Sequence, residues 1–223
     1  MKIWMVIPAY NEALLLEKVL LEVKNNPVKI LVVDDGSNDN TYAVASKVAD
    51  VVIKNEENLG KGMSLRKAID YLLKNEDFDY IITMDADGQH LASDIKNFLK
   101  EAVDKESFVV GNRMDNPLHM PRIRILTNKF MSWFISRVAK QKIPDTQCGF
   151  RLISRNVLKA VEFKTKKFEV ESEILIKAAR AGFTIKSIPI KSVYFKNQKS
   201  RIHPFVDTIR FIRFIFSLDT KKS

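Results

Sequence analysis

Lys2-Ile3-Trp4-Met5-Val6-Ile7-Pro8-Ala9-Tyr10-Asn11-Glu12 is an apolar run of strand-forming residues that ends in a polar cluster. The same design returns at Val28-Lys29-Ile30-Leu31-Val32-Val33-Asp34-Asp35-Gly36-Ser37-Asn38-Asp39, and again at Tyr80-Ile81-Ile82-Thr83-Met84-Asp85-Ala86-Asp87-Gly88-Gln89-His90. Asp50 to Lys54 and Phe108 to Gly111 read as further strands. Between these runs apolar residues fall at helical spacing: Leu16, Val19, Leu20 and Val23, then Leu65, Ala68, Ile69 and Leu72, then Leu91, Ile95, Phe98, Leu99 and Ala102. Continuously apolar strands separated by helices predict an α/β, Rossmann-like fold with a mostly parallel sheet flanked by helices, because a parallel return needs a crossover. Such a sheet takes its ligands beyond the carboxyl ends of the strands, so the polar clusters are expected to converge on one site.

The second half is less regular. It reads as a helix from Ile123 to Val138, a loop from Pro144 to Gly149, a helix from about Phe168 to Ala181 stopped by Gly182, and a short strand from Thr184 to Pro189. Phe205 to Leu218 gathers Asp207, Arg210, Arg213 and Ser217 on one helical face, which predicts an amphipathic C-terminal helix lying on an anionic membrane surface. The 223 residues predict a single domain over 1–204, with a nucleotide-binding half (1–113) and an acceptor-binding half (114–204), followed by the helix and tail at 205–223.

With 46% hydrophobic and 29% charged residues, and only 7 Gly and 7 Pro, the composition excludes a disordered or collagen-like chain. One cysteine, Cys148, excludes a disulfide framework and a multi-cysteine zinc site; it reads as a small packing residue in a reducing, cytoplasmic setting. No apolar run reaches the roughly 20 residues that span a bilayer, so the expectation is a cytoplasmic protein, peripheral on the cytoplasmic membrane face. The net charge of +10 is unevenly placed: residues 1–110 carry 13 Lys and Arg against 19 Asp and Glu, and residues 111–223 carry 24 against 8. The two halves have different partners.

Asp85 and Asp87 are the most informative pair. Two carboxylates at a strand end reach one hard cation, Mg²⁺ or Mn²⁺, and leave further coordination to substrate phosphates. In Asn58-Leu59-Gly60-Lys61-Gly62, which precedes a helix, the glycines permit close backbone approach and Lys61 adds positive charge. The spacing is not that of a P-loop.

These blocks resemble, in order, those of the family 2 glycosyltransferases with a GT-A fold: Pro8 to Glu12, Val32 to Ser37, Asn58 to Gly62, Met84 to Gln89 and Gly111-Asn112-Arg113. Asp145-Thr146-Gln147-Cys148-Gly149-Phe150-Arg151 is similar to the polyprenyl-phosphate and dolichol-phosphate sugar synthase branch. The resemblance implies that Pro8, Tyr10, Glu12, Val33 and Asp35 hold the nucleotide with Asp34 beside them. It also gives Asp85, Ala86, Asp87 and Gln89 the metal and diphosphate. The implied donor is a GDP- or UDP-linked sugar, and the implied acceptor a polyprenyl phosphate. The family's usual lysine near the later glutamate-bearing helix is replaced here by Phe168-Glu169-Val170-Glu171-Ser172-Glu173.

Two anionic substrates explain the basic second half, with Arg113, Arg122, Arg124, Arg151, Lys199 and Arg201 as candidates to neutralise them. The implied reaction is an inverting displacement in which Asp87, Arg113 and Arg124 stabilise the departing diphosphate. An acceptor phosphate is already ionised; a hydroxyl acceptor on a glycan or small molecule would need a base, and Asp145 is then the first candidate, followed by Glu171 and Glu173. His90 is read as a neighbour of the carboxylate pair rather than a metal ligand. The alternatives are a sugar nucleotidylyltransferase, which lacks its glycine-rich signature here, and a basic nucleic-acid or membrane-binding module without catalysis. No nucleic-acid partner is expected, since such a module gives no reason for carboxylates at three strand ends.

Overall fold

β1 (Ile3–Ala9) lies inside the sheet, flanked on both sides, and its residues from Ile3 to Ile7 are all apolar and buried. The computed structural model describes residues 1–105, 107–117, 120–161 and 169–194. After β1 the elements run α1 (Ala13–Lys24), β2 (Lys29–Asp34), α2 (Thr41–Val48), β3 (Val51–Lys54), α3 (Lys61–Asn75) and β4 (Tyr80–Thr83). A short 3₁₀ turn (Ala92–Asp94) leads into α4 (Ile95–Glu101), followed by β5 (Phe108–Asn112), α5 (Arg122–Ala139), β6 (Arg151–Ser154), α6 (Arg155–Ala160), α7 (Glu169–Arg180) and β7 (Ile185–Pro189).

The strand order is β3-β2-β1-β4-β6-β5-β7. β1, β2, β3 and β4 pair in parallel, β6 runs antiparallel to both β4 and β5, and β7 is parallel to β5. The mostly parallel sheet expected from the sequence is therefore present, with one reversed strand wedged into it. The chain steps outward from β1 to β3, then crosses back to place β4 on the other side of β1. A right-handed crossover in each direction sets α1 and α2 on one face and α3 on the other, and α1 packs on α2 while α3 packs on α6 and α7. The strand order reverses between β1 and β4, which is where an open α/β sheet leaves a crevice at its carboxyl edge.

The core follows the helical spacing read from the sequence. Leu16, Leu20 and Val23 of α1 and Ala68 and Leu72 of α3 are fully buried against the sheet, and each large side chain contributes about 1.5–3 kcal/mol by leaving water. Phe98 stacks on Phe150 at 4.5 Å between ring centres, which ties α4 to the loop before β6.

Three pieces of structure were not legible in the sequence, among them α6, whose six residues are too few to show a helical stripe. α2 buries only Thr41 and Ala45, too few apolar residues to make a stripe. β6 is four residues long, fully buried, and begins on Arg151, so a charged residue breaks the apolar pattern at its first position. α7 ends as expected, with Gly182 just beyond it at φ +92°. Residues 1–193 form one unit and 194–223 a second. The amphipathic helix over 205–223, the boundary at 204, Lys199 and Arg201 lie outside the described residues.

Candidate active site

The loops that leave β1 and β2 are stitched to each other. Asp35 N donates to Ala9 O at 2.8 Å, Asn11 N to Ser37 Oγ at 2.9 Å, Asn38 N to Asn11 Oδ1 at 2.9 Å, and Glu12 N to Thr41 Oγ1 at 2.9 Å. Asn11 sits in the left-handed region at φ 53°, which a short polar side chain tolerates. Pro8, Tyr10 and Glu12 are half-buried along this edge. Val33 and Ala86 are buried strand-end residues whose side chains face the core.

Asp35 is 3% exposed, and both of its oxygens are engaged by the chain itself. Oδ1 accepts from Asn55 Nδ2 at 2.7 Å and Leu59 N at 3.0 Å, and Oδ2 accepts from Gly60 N at 2.8 Å. Gly60 reaches this position with φ +90°, a conformation that a side chain would strain. Asp35 thus fixes the turn that launches α3 and delivers Lys61. Asp34 is fully buried; its Oδ1 accepts from Ser37 N at 3.1 Å, while its Oδ2 has no hydrogen-bond partner among the described residues.

At the end of β4 the arrangement is different. The Asp85 side chain keeps 30% of its exposure, and Lys61 Nζ lies 2.5 Å from Asp85 Oδ1 and 2.6 Å from Glu171 Oε1. His90 Nε2 approaches Asp85 Oδ2 at 3.4 Å, and the His90 ring packs on Phe150. Gly149 makes this convergence possible. A Cβ there would come within 2.8 Å of Lys61 Nζ, 2.9 Å of Asp85 Oδ2 and 3.0 Å of Glu171 Oε1. Three elements and one loop therefore meet around a single ammonium group.

The electrostatics follow from this geometry. Burial disfavours the charge on Asp85, but Lys61 and His90 outweigh it and hold the carboxyl below the ordinary carboxylate range. Burial likewise opposes the charge on Lys61, and Asp85 and Glu171 overcome it, raising the ammonium group's pKa. For Asp87 the balance is reversed: burial and the nearby Asp85 charge push it up, outweighing the 3.0 Å bond that its Oδ1 accepts from Gln89 N. Burial raises the Cys148 thiol to about 12, which fits a packing role and leaves no thiolate for chemistry.

Arg113, just after β5, is held by Asp145 in a two-pronged pair: Nε to Oδ2 at 2.7 Å and Nη2 to Oδ1 at 2.9 Å, with Arg113 N also donating to Oδ2 at 3.1 Å. Asp145 is 1% exposed. Its loop is pinned to α5, where Ser132 Oγ accepts from Thr146 N and Ser136 Oγ accepts from Ile143 N, each at 2.9 Å. Arg151 is turned inward rather than toward an anion. Its guanidinium donates to the carbonyls of Cys148 at 2.7 Å, Glu171 at 2.6 Å and Thr146 at 2.9 Å, which fastens the loop and the start of α7 together. Arg124 is half-buried near the start of α5, and Arg122 is exposed.

The structure thus brings Lys61, Asp85, Asp87, Gln89 and Glu171 to one edge, with the Arg113–Asp145 pair carried by β5 and the 144–149 loop. The sequence did not reveal Asn55, which bridges Asp35 to Lys67 Nζ, or Glu171 as the partner of Lys61. Both lie far along the chain from the groups they touch, and only the fold pairs them.

The model of the family described as Glycosyl transferase family 2 matches residues 4–162, about two thirds of the chain and every block described above up to Arg151. The chain belongs to glycosyl transferase family 2. It is a glycosyltransferase with the GT-A fold, and its sequence similarity lies with the polyprenyl-phosphate and dolichyl-phosphate sugar transferases. It is 31% identical to the UDP-N-acetylglucosamine--dolichyl-phosphate N-acetylglucosaminyltransferase of Methanococcus voltae, over 89% of this chain and 88% of that one. It is 27% identical to the polyprenol monophosphomannose synthase of Mycolicibacterium smegmatis, over 83% of this chain and 75% of that one. Among known structures, glucosyl-3-phosphoglycerate synthase from Mycobacterium tuberculosis superposes with a TM-score of 0.73 at 19% identity, covering 97% of this chain and 80% of that one. A second structure of that synthase, in complex with Mn²⁺ and UDP, gives a TM-score of 0.70 at 19% identity, covering 95% of this family 2 chain and 76% of the other.

Proposed function

We propose that this glycosyltransferase moves a sugar from a nucleoside diphosphate to a polyprenyl phosphate, with inversion at the anomeric carbon. The observation that carries the choice of acceptor is that each candidate base already has a cation on it. Asp145 holds Arg113 at 2.7 Å, Glu171 holds Lys61 at 2.6 Å, and Glu173 holds Lys177 at 2.7 Å. A carboxylate whose oxygen is already spent on a partner cation is not free to reach the proton of an incoming hydroxyl. A hydroxyl acceptor needs such a base; a phosphate monoester does not. The acceptor phosphate oxygen bonds to the anomeric carbon, the bond from that carbon to the diphosphate oxygen breaks, and the nucleoside diphosphate leaves with its electron pair.

The donor set at the end of β4 fits a hard divalent cation. It offers two carboxylates and the Gln89 amide with access to solvent. Asp85, Asp87 and Gln89 would hold Mg²⁺ or Mn²⁺, which supplies charge stabilisation to the departing diphosphate. Pro8, Tyr10 and Glu12 wall the nucleoside, with the Val33 backbone at the strand end and Asp34 and Asp35 beneath it holding the adjoining turn. Lys61 turns from Asp85 to the diphosphate. Arg113 presents a guanidinium oriented by Asp145, which acts as its positioning residue, and Arg124 adds positive charge for the second anion. UDP-N-acetylglucosamine is the first donor to try, since the Methanococcus voltae relative is named for it.

The test is transfer of radiolabelled sugar from UDP- and GDP-linked donors to a detergent-solubilised polyprenyl phosphate, with Mn²⁺ or EDTA. Metal-dependent formation of a lipid-linked sugar is the expected result. Transfer to a glycan hydroxyl with none to the lipid phosphate would overturn the acceptor assignment.

A further inference from the structure

Lys61 holds one positive charge between two carboxylates that differ in how they are anchored. Its own main chain is fixed, because Gly60 N donates to Asp35 Oδ2 at 2.8 Å and α3 begins at Lys61 itself, so the flexible side chain is what is left to move. Asp85 stands at the open end of β4 with its side chain 30% exposed, and Lys61 Nζ is 2.5 Å from its Oδ1. Glu171 lies deeper, at 13%, with Nζ 2.6 Å from its Oε1. The Glu171 backbone is gripped on all sides. Arg151 Nη1 donates to its carbonyl at 2.6 Å, the neighbouring Val170, Ser172 and Glu173 are buried, and α7 packs on α3 and α5. Thr83 Oγ1 donates to Gly149 O at 2.7 Å, which keeps this glycine pressed against all three charged groups.

We propose that Glu171 is a positioning residue that keeps Lys61 at the diphosphate site when Asp85 takes up the divalent cation. An ammonium group has three N–H donors and turns freely on its stem. Lys61 can therefore keep one bond to Glu171, give up the one to Asp85, and aim the donors so released at a diphosphate oxygen. Without Glu171 the exchange ends differently: once Asp85 is committed to a doubly charged cation, the like charge drives the ammonium group out to solvent. The Glu171 anchor makes cation uptake and lysine delivery one movement. This role deepens the proposed reaction and rests on it, since the departing diphosphate gives the released donors their work.

The experiment follows Lys61 itself. Acylation by acetic anhydride needs the neutral amine, so an ammonium group held by a carboxylate is protected. The full chain, wild type and Glu171→Gln, is labelled with and without saturating Mn²⁺, and the extent at Lys61 is read by peptide mass spectrometry. In the wild type Lys61 should stay protected in both conditions. In Glu171→Gln it should be protected by Asp85 without Mn²⁺ and label at least about fivefold more with it, the lower end of an ordinary coupling between two sites. Lys177, paired with Glu173 at 2.7 Å further along α7, is the internal control for folding and should not change. If its labelling rises, Glu171→Asp takes the place of Glu171→Gln: it keeps the charge but withdraws the oxygens by one methylene, and the same Mn²⁺-gated labelling is expected. A second readout is the sign of the change in UDP or GDP affinity at saturating Mn²⁺. Removing a carboxylate near an anion tightens binding if only its charge matters, whereas losing a positioned lysine weakens it, here by roughly fivefold. In the Lys61→Met background, with no lysine left to position, Glu171→Gln should tighten nucleotide binding instead.

Three labelling results would overturn the proposal: a rise at Lys61 with Mn²⁺ that is equal in the two chains, no effect of Mn²⁺ in either, or a rise in Glu171→Gln already without Mn²⁺. Tighter nucleotide binding by Glu171→Gln with Lys61 in place would do the same. Each is separable from the functional reading. Mn²⁺-gated labelling without transfer to polyprenyl phosphate removes only the acceptor assignment, and transfer with ungated labelling removes only the role of Glu171.

Discussion

Two acidic clusters at two strand ends of one sheet meet opposite fates. At the end of β2, Asp35 is buried and accepts three hydrogen bonds from Asn55, Leu59 and Gly60, so its charge is taken up by the scaffold. At the end of β4, Asp85 is partly exposed and faces the Lys61 ammonium, while Asp87 accepts a backbone bond and has its pKa raised by burial and by Asp85. On the proposed function, carboxylates are used as construction at one edge and kept for a ligand at the other. What separates them is the donor that each meets: the Asn55 amide and backbone N–H groups of a glycine turn in the first case, a lysine ammonium on a flexible side chain in the second.

The largest effect dividing the two edges is expected from Asp87→Asn. Transfer should fall by roughly 100-fold or more, the scale of removing one group that stabilises charge in a transition state. The melting transition should barely move, because the side chain is partly exposed and no core contact is lost. Full turnover at limiting Mn²⁺ would erase the distinction between the edges.

Asp35→Asn should act on stability instead. The substituted amide turns its NH2 toward either Gly60 N or the Asn55 and Leu59 donors, and the loss of a buried charged acceptor costs about 1–3 kcal/mol of stability. Chemical denaturation of the two variants side by side reads this out. A larger stability loss in Asp87→Asn than in Asp35→Asn would reverse the assignments.

Much of this was legible in the sequence, for physical reasons. β1, β2 and β4 are continuous apolar runs that end abruptly in polar clusters, and the crossover rule turns such runs into a parallel sheet with one ligand edge. Asp85 and Asp87 stand out because two carboxylates two residues apart at a strand end have little to do in a core. The separate fate of Asp35 was not legible: it depends on Asn55 and on the φ of Gly60, which only the folded turn supplies. Nor was the inward turn of Arg151, since a buried arginine satisfied by three carbonyls looks in sequence like any other cation near an anion site. Lys61 and Glu171 are 110 positions apart, and Gly149, whose missing Cβ lets them meet, carries no signal of its own.

Lys61→Met probes the displaceable side of the contrast. With the ammonium gone from Asp85, affinity for Mn²⁺ alone should tighten about tenfold, or ~1.4 kcal/mol, while transfer falls because the diphosphate loses its lysine. Direct Mn²⁺ titration measures the first effect without turnover. Weaker Mn²⁺ binding would mean that Lys61 builds the site and does not hold its place.

The smallest expected effect is in pH. Asp87 has its folded-state pKa raised, so it takes up a proton at higher pH than an ordinary aspartate, whereas Asp85 stays ionised. Cation binding requires the ionised form. Mn²⁺ affinity should therefore be full well above the ordinary aspartate range and decline as pH falls through the raised Asp87 value, before Asp85 protonates. The same titration of Asp87→Asn is the control, and this limb of the pH profile should vanish in it. Persistence of the limb in that variant would assign the titration to another group.

If the β4 carboxylates and a nucleoside diphosphate share one cation, as the contrast between the two edges requires, nucleotide must change how the chain takes up Mn²⁺. Electron paramagnetic resonance of Mn²⁺ with the intact chain, with and without UDP or GDP, measures this without turnover. Nucleotide-dependent loss of the free Mn²⁺ signal in the wild-type chain, absent in Asp87→Asn, is the predicted result. Equal Mn²⁺ uptake by the two chains in the presence of nucleotide would contradict it.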